Sequence, residues 1–195
     1  FEDSKQAYLD FLVSDPARKN RGIGTALYET SRIFLKEKGC QQLYMDVEPD
    51  VEELVSDKKA INNNKKRLAF YEKFNAKPII GTQYEYTTTK INLGYPLFLV
   101  LDPLDKRVLL KEKDLKTAIE KIFQAKAKLG PNNPNVKKIL DSIKECNFKI
   151  REDRYSKPII EQFKKEDLGK IDIILPDEFH NIHHLQERGY VERPA

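Results

Sequence analysis

Ala7 to Ser14 (AYLDFLVS) sets large apolar residues in partial alternation with polar ones, the pattern of a strand, and Pro16 closes it. From Gly22 the period lengthens. Ile23, Leu27, Thr30 and Phe34 recur at helical spacing, and Gly39 ends the run after Lys36, Glu37 and Lys38. Gln42 to Val47 (QLYMDV) reads as a second strand. A strand, a helix and a strand in that order predict parallel pairing of the two strands, because the chain must return before it can pair. An acidic loop, EPDVEELVSD, leads to Asn62, Asn63 and Asn64 and to a helix expected over Lys65 to Phe74. Pro78 then opens PIIGTQYEYTTT, expected to be extended, and YPLFLVLD after Gly94 reads as a further buried strand.

The character changes at Lys113. Leu115, Ile119, Ile122, Phe123 and Leu129 mark an amphipathic helix that breaks at GPNNPN, and Val136, Ile139, Leu140 and Ile143 mark a second. Past Phe148 come a charged connection, a short strand-like stretch from Ile171 to Leu175, and a tail holding all three histidines. This divides the chain into an α/β domain at 1–110, a helical connector at 111–150, and a linker with the start of another domain at 151–195. The chain opens without Met and stops within an ordered-looking stretch, so a piece of a longer polypeptide is expected.

Composition narrows the class. Of 195 residues, 39% are hydrophobic and 34% charged, which fits a soluble protein with a heavily charged surface. No apolar run is long enough to span a membrane, and no secretory signal opens the chain. Cys40 and Cys146 stand far apart in no metal-ligand pattern, so a reduced, cytoplasmic setting is expected. The net charge of +4 is spread through interleaved acidic and basic residues. Such spreading reads as solvated helix faces, whereas a dedicated nucleic-acid binder gathers its cations on one face.

One stretch departs from this plainness. In DPARKNRGIGTAL, from Asp15 to Leu27, Arg18, Lys19 and Arg21 crowd the start of a helix, whose positive end opposes them. The first amides of a helix have no partner within it and point outward. Glycines at 22 and 24 let an anion's oxygens approach the backbone, and the helix end and cations favour negative charge there. The Rossmann fingerprint fails, because Leu27 stands where its third glycine belongs, and the Walker pattern is absent. On the residues alone, the stretch is an anion site or a structural turn.

The strand, proline, basic loop, Gly-Ile-Gly and amphipathic helix together resemble the central motif of the GNAT family of N-acetyltransferases, Arg/Gln-x-x-Gly-x-Gly/Ala. Lys19 holds its first position. The resemblance implies acetyl-CoA as co-substrate, its pyrophosphate bound along Arg18, Lys19, Asn20, Arg21, Gly22, Ile23, Gly24 and Thr25. A second stretch, NKKRLAFYEKFNAKPI, resembles the family's later motif, in which Asn is followed seven residues on by Tyr, then by Glu-Lys and a Gly-Phe pair. Asn64 and Tyr71 fill those positions. Asn75, after Phe74, replaces the glycine, and Asn also tolerates left-handed backbone. The resemblance implies that Asn64 contacts the pantetheine arm and that Tyr71 protonates the departing thiolate. Packing with Leu68, Phe70 and Phe74 is the plain alternative for Tyr71. The implied fold is a mixed α/β sheet flanked by helices, here without the family's first strands and helices and followed by the helical connector.

Acetyl transfer to an amine makes a definite demand. A lysine ammonium with a pKa of about 10.4 is nucleophilic in about one molecule per thousand at neutral pH, a deficit of roughly 4 kcal/mol. A general base or desolvation must offset it. Asp10, on the strand leading into the basic loop, is the first candidate base and Glu85 the second, with Tyr84 shaping an acceptor pocket. Amides of Leu12, Val13 and Ser14 are placed to hold the thioester carbonyl as negative charge develops.

In the tail, DIILPDEFHNIHHLQERGYVERP resembles the opening of the histone-deacetylase-like domain, and fusions of the two domains form a known bacterial architecture. The family's zinc ligands lie further downstream, so no metal is assigned to His180, His183 and His184. Three readings follow. The first is an acetyltransferase acting on an amine, a lysine of a protein or a polyamine, joined to a deacetylase-like partner domain. The second is a non-catalytic acetyl-CoA-binding module regulating that domain, and the third a basic interaction domain.

Overall fold

The computed structural model describes residues 5–13, 22–88, 95–104, 109–144 and 147–155. The strands marked by alternation, β1 (Gln6–Leu9) and β2 (Gln42–Val47), pair in parallel, from Gln6 opposite Gln42 to Leu9 opposite Met45. Between them the chain forms α1 (Ile23–Glu37), the crossover that parallel pairing requires. After β2 come α2 (Lys58–Glu72), β3 (Lys77–Ile80), α3 (Tyr84–Thr88) and β4 (Phe98–Pro103). The described chain continues through α4 (Glu112–Ala127), α5 (Pro134–Ser142) and β5 (Lys149–Ile150). The five strands form one mixed sheet in the order β1-β2-β4-β3-β5, antiparallel except at β1–β2. This is a GNAT-like α/β fold, a mixed sheet flanked by helices.

Chain packing defines two units. Among the described residues, the first holds the whole sheet and α2 to α5, and the second holds α1. Within the first, alternation along the strands sends Tyr44, Leu99 and Leu101 to one face, where they share a core with Leu115, Ile119 and Ile122 of α4 and Val136 and Ile139 of α5. The two helices read as a connector are therefore packed on the sheet. The strand partners Met45, Val47 and Val100 are buried on the opposite face, and α2 buries Ile61, Leu68 and Tyr71.

Three elements differ from the sequence reading. The first strand stops at Leu9 and does not reach Ser14; Phe11 and Val13 are 79% and 77% exposed, so its apolar run is not all core. Helix α2 starts earlier than expected, because the Asp57 side chain accepts a hydrogen bond from the Lys59 amide and caps it. PIIGTQYEYTTT is strand only to Ile80. The Thr82 hydroxyl accepts from the Tyr84 amide, and Tyr84, 1% exposed, anchors the short α3 against its β-forming composition.

Gly81 makes that change of direction possible. Its φ is +88°, and a Cβ there would stand 1.9 Å from the Asn147 carbonyl oxygen. Gly81→Ala is expected to lower stability by about 2–4 kcal/mol, through left-handed strain and a backbone clash, read as a lower urea midpoint. An unchanged midpoint would show that the 147–149 chain can move aside freely.

Candidate functional site

The N-terminus of α1 is left without a side-chain cap of its own. Gly22 takes the left-handed conformation (φ 77°) as N-cap, its carbonyl accepting from the Ala26 amide at 2.9 Å. No side chain caps the helix among the described residues, and its first turn holds no acidic residue. The amides of Ile23, Gly24 and Thr25 thus lack the carboxylate or hydroxyl that ordinarily satisfies them. Among the described residues no atom lies within 4 Å of a Cβ placed on Gly24, leaving room for a ligand beside the backbone. At the other end, Gly39 (φ 78°) closes the helix, its amide bonded to the Lys36 carbonyl and that of Cys40 to the Leu35 carbonyl. Ser14, Arg18, Lys19, Asn20 and Arg21 lie outside the described residues. Leu12 and Val13 follow β1 in irregular backbone, and Asp10 is exposed just past its end.

In the sheet unit, α2 carries Asn64 and Tyr71. Asn64 is 2% exposed and donates its Nδ2 to the Pro49 carbonyl at 2.8 Å, tying α2 to the loop after β2. It also lines a cavity of about 360 Å3, together with Pro49, Leu54, Ser56, Ala60 and Tyr95. Tyr71 is 9% exposed, its ring edge-on to Phe70 at 5.2 Å. Burial pushes its phenol above the ordinary tyrosine range, with the Arg67 charge opposing, so it stays protonated at neutral pH. Helix α2 closes with Asn75 left-handed (φ 63°), and the Asn75 and Ala76 amides bond to the Glu72 and Tyr71 carbonyls. Asn at that position does the work of glycine.

Residues 1–76 match the acetyltransferase (GNAT) family. The matched segment spans β1, α1, β2 and α2, and so includes both the uncapped glycine turn and the helix bearing Asn64 and Tyr71. No curated protein and no solved structure matches the chain. No helix among the described residues is long and apolar enough to cross a membrane.

Beside the GNAT segment sits a buried ionic latch that no motif announced. Arg151, 4% exposed, donates to Asp50 at 2.7 Å, and its other terminal nitrogen stands 3.8 Å from Glu72. Glu72 accepts from the backbone amides of Arg154 and Tyr155, and the Tyr155 hydroxyl donates to Asp50. Burial alone would raise the Asp50 carboxyl, but hydrogen bonds from Arg151 and Tyr155 hold it below its ordinary value. The Tyr155 phenol is pushed up to about 12, by burial first and then by the Asp50 carboxylate. Asp50 adjoins Pro49, the partner of Asn64, and Glu72 adjoins Tyr71. The latch therefore fixes both neighbours of the candidate catalytic face.

Glu85 is 8% exposed, with Oε2 unpartnered among the described residues, and burial raises its carboxyl above the ordinary glutamate range. Tyr84 donates its hydroxyl to Asp46 at 2.7 Å. Asp46 escaped the sequence reading because it looked like one polar residue of an alternating strand, and its partners Tyr8 and Tyr84 lie 38 residues away on either side. The three tail histidines lie outside the described residues.

Proposed function

We propose that the chain is an N-acetyltransferase domain, moving an acetyl group from acetyl-CoA to a primary amine of a lysine or polyamine, in a polypeptide that continues into a deacetylase-like domain. The observation that carries this reading is the uncapped α1 N-terminus, with left-handed Gly22 and open space beside Gly24, inside the segment matching the GNAT family. Bound there, acetyl-CoA supplies a thioester whose carbonyl carbon is open to an amine. The amides of Ile23, Gly24 and Thr25 bind the pyrophosphate, aided by the positive helix end. Arg18, Lys19, Asn20 and Arg21 add charge and donors from the preceding loop. Asn64 and its cavity receive the pantetheine arm, and the backbone at Leu12, Val13 and Ser14 orients the carbonyl. Tyr71, kept protonated by burial, gives its proton to the leaving sulfur. Asp10 is the carboxylate assigned to an incoming acceptor's proton.

Calorimetric titration with acetyl-CoA tests the site. Saturable binding is expected, weakened about a hundredfold by Gly24→Asp, or ~2.8 kcal/mol at ~1.4 per factor of ten. An acidic residue in the first turn favours the helix itself, so the loss is not one of folding. Equal affinity in the two proteins would remove the pyrophosphate from this turn.

A further inference from the structure

The cavity lined by Asn64 is walled on one side by chain that is neither helix nor strand. Between β2 and α2, residues 48–57 run through a turn in which the Leu54 and Val55 amides donate to the Val51 carbonyl. Pro49, Leu54, Val55 and Ser56 of this loop all line the cavity. The loop carries five carboxylates, Glu48, Asp50, Glu52, Glu53 and Asp57, which repel one another, so its place depends on what grips it. Glu52 and Glu53 are exposed. Asp57 is occupied in capping α2, and Glu48 meets Arg67 at 3.0 Å between half-exposed side chains, a contact that holds a chain only weakly. Asp50 differs. It stands in sequence between the two parts of the wall, Pro49 and the Leu54 to Ser56 stretch, and its buried carboxylate is gripped by Arg151 at 2.7 Å and by the Tyr155 hydroxyl. Both grips come from one strap, residues 149–155, which is fixed at points that do not line the cavity. There β5 pairs with β3, the Arg151 amide donates to the Pro78 carbonyl at 2.8 Å, and the Arg154 and Tyr155 amides donate to Glu72. Loop, cavity and strap all belong to the sheet unit.

We propose that the strap is linked to the cavity: Arg151 and Tyr155, by gripping Asp50, are positioning residues that hold Pro49 and the Leu54 to Ser56 wall in place for the pantetheine arm. This rests on the acetyl-CoA reading above. With Asp50 held, the Pro49 carbonyl keeps its 2.8 Å bond from Asn64, and the wall stays closed around the cavity. With Asp50 released, the charged loop is drawn toward solvent, and a ligand in the cavity loses that wall. A ligand touching the wall therefore binds the gripped state more tightly. By the reciprocity of linked equilibria, it tightens the strap by the same factor. A latch that served the fold alone would be as tight without ligand as with it.

Amide hydrogen exchange on the intact chain reads this linkage without any substitution. The Leu129 amide, bonded to the Phe123 carbonyl at 3.2 Å at the end of α4, is the reference for general stabilisation by ligand. Saturating coenzyme A is expected to slow exchange of the Arg154 and Tyr155 amides about tenfold more than that of Leu129, an ordinary size for coupling between sites. Tyr155→Phe keeps the ring and the Arg151 contact but removes one grip on Asp50. Calorimetry should then show coenzyme A bound about tenfold more weakly. The exchange readout decides alone where the variant does not fold. Equal slowing of all three amides, or unchanged affinity in Tyr155→Phe, overturns the proposal and spares the acetyl-CoA reading. Absence of coenzyme A binding by the unaltered chain overturns both.

Discussion

Arg151→Met is expected to lower folding stability by about 3–5 kcal/mol, the usual effect of removing one partner from a buried ion pair. Arg151 stands between two carboxylates, Asp50 and Glu72, 3% and 4% exposed, and also covers the Phe98 ring at 5.6 Å. Methionine replaces most of the packing but none of the charge, so Glu72 loses the guanidinium beside it and Asp50 keeps only the Arg154 cation, 3.7 Å away. Urea denaturation at neutral pH measures the loss. The pH dependence gives a second check. The Asp50 carboxyl lies below its ordinary value of 3.8 in the folded chain. Its contribution is therefore complete above that value and is lost as pH falls through the lower folded-state value. The gap between wild type and Arg151→Met should narrow over that acidic range. A gap independent of pH would show that lost packing, and not the ionic latch, sets the stability difference.

Tyr71→Phe is expected to lower acetyl transfer by about 10²–10⁴-fold, the range for loss of a positioned general acid. Acetyl-CoA affinity should change little, because the ring stays and its edge-on contact with Phe70 persists. The proton is available for a stated reason: burial keeps the phenol neutral well past physiological pH. Steady-state rates with calorimetric affinities in parallel separate chemistry from binding. Weakened affinity with unchanged turnover would assign Tyr71 to the binding surface.

The parts of this fold that were legible in the sequence are those set by local chemistry. Gln42 to Val47 reads as a strand and is one over those same residues. Gly39 ends α1 and Asn75 takes the left-handed turn after α2, both through backbone preferences that a single residue reveals. Face selection in α1 was not legible. Apolar residues run nearly all round that helix, and the buried ones are Ala26 and Tyr28, with Leu27 41% and Phe34 54% exposed. The α3 segment is not legible either, because its aromatic and β-branched residues favour strand, while Gly81, the Thr82 cap and the burial of Tyr84 override them. The latch and the Asp46 cluster were invisible for another reason. Asp50 and Arg151 are 101 residues apart, and Asp46 and Lys126 80, so only the sheet order brings them together. In the candidate site, Gly22, Gly24, Asn64 and Tyr71 could be named from motifs. What each touches could not.

The glycine turn at the head of α1 is where the coenzyme's pyrophosphate is expected. Backbone amide NMR of the labelled chain, titrated with coenzyme A, reads that turn residue by residue. The prediction is saturable shifts at Ile23, Gly24 and Thr25, accompanied by Asn64. Saturable binding that leaves those three amides unmoved, or no binding at all, would contradict it.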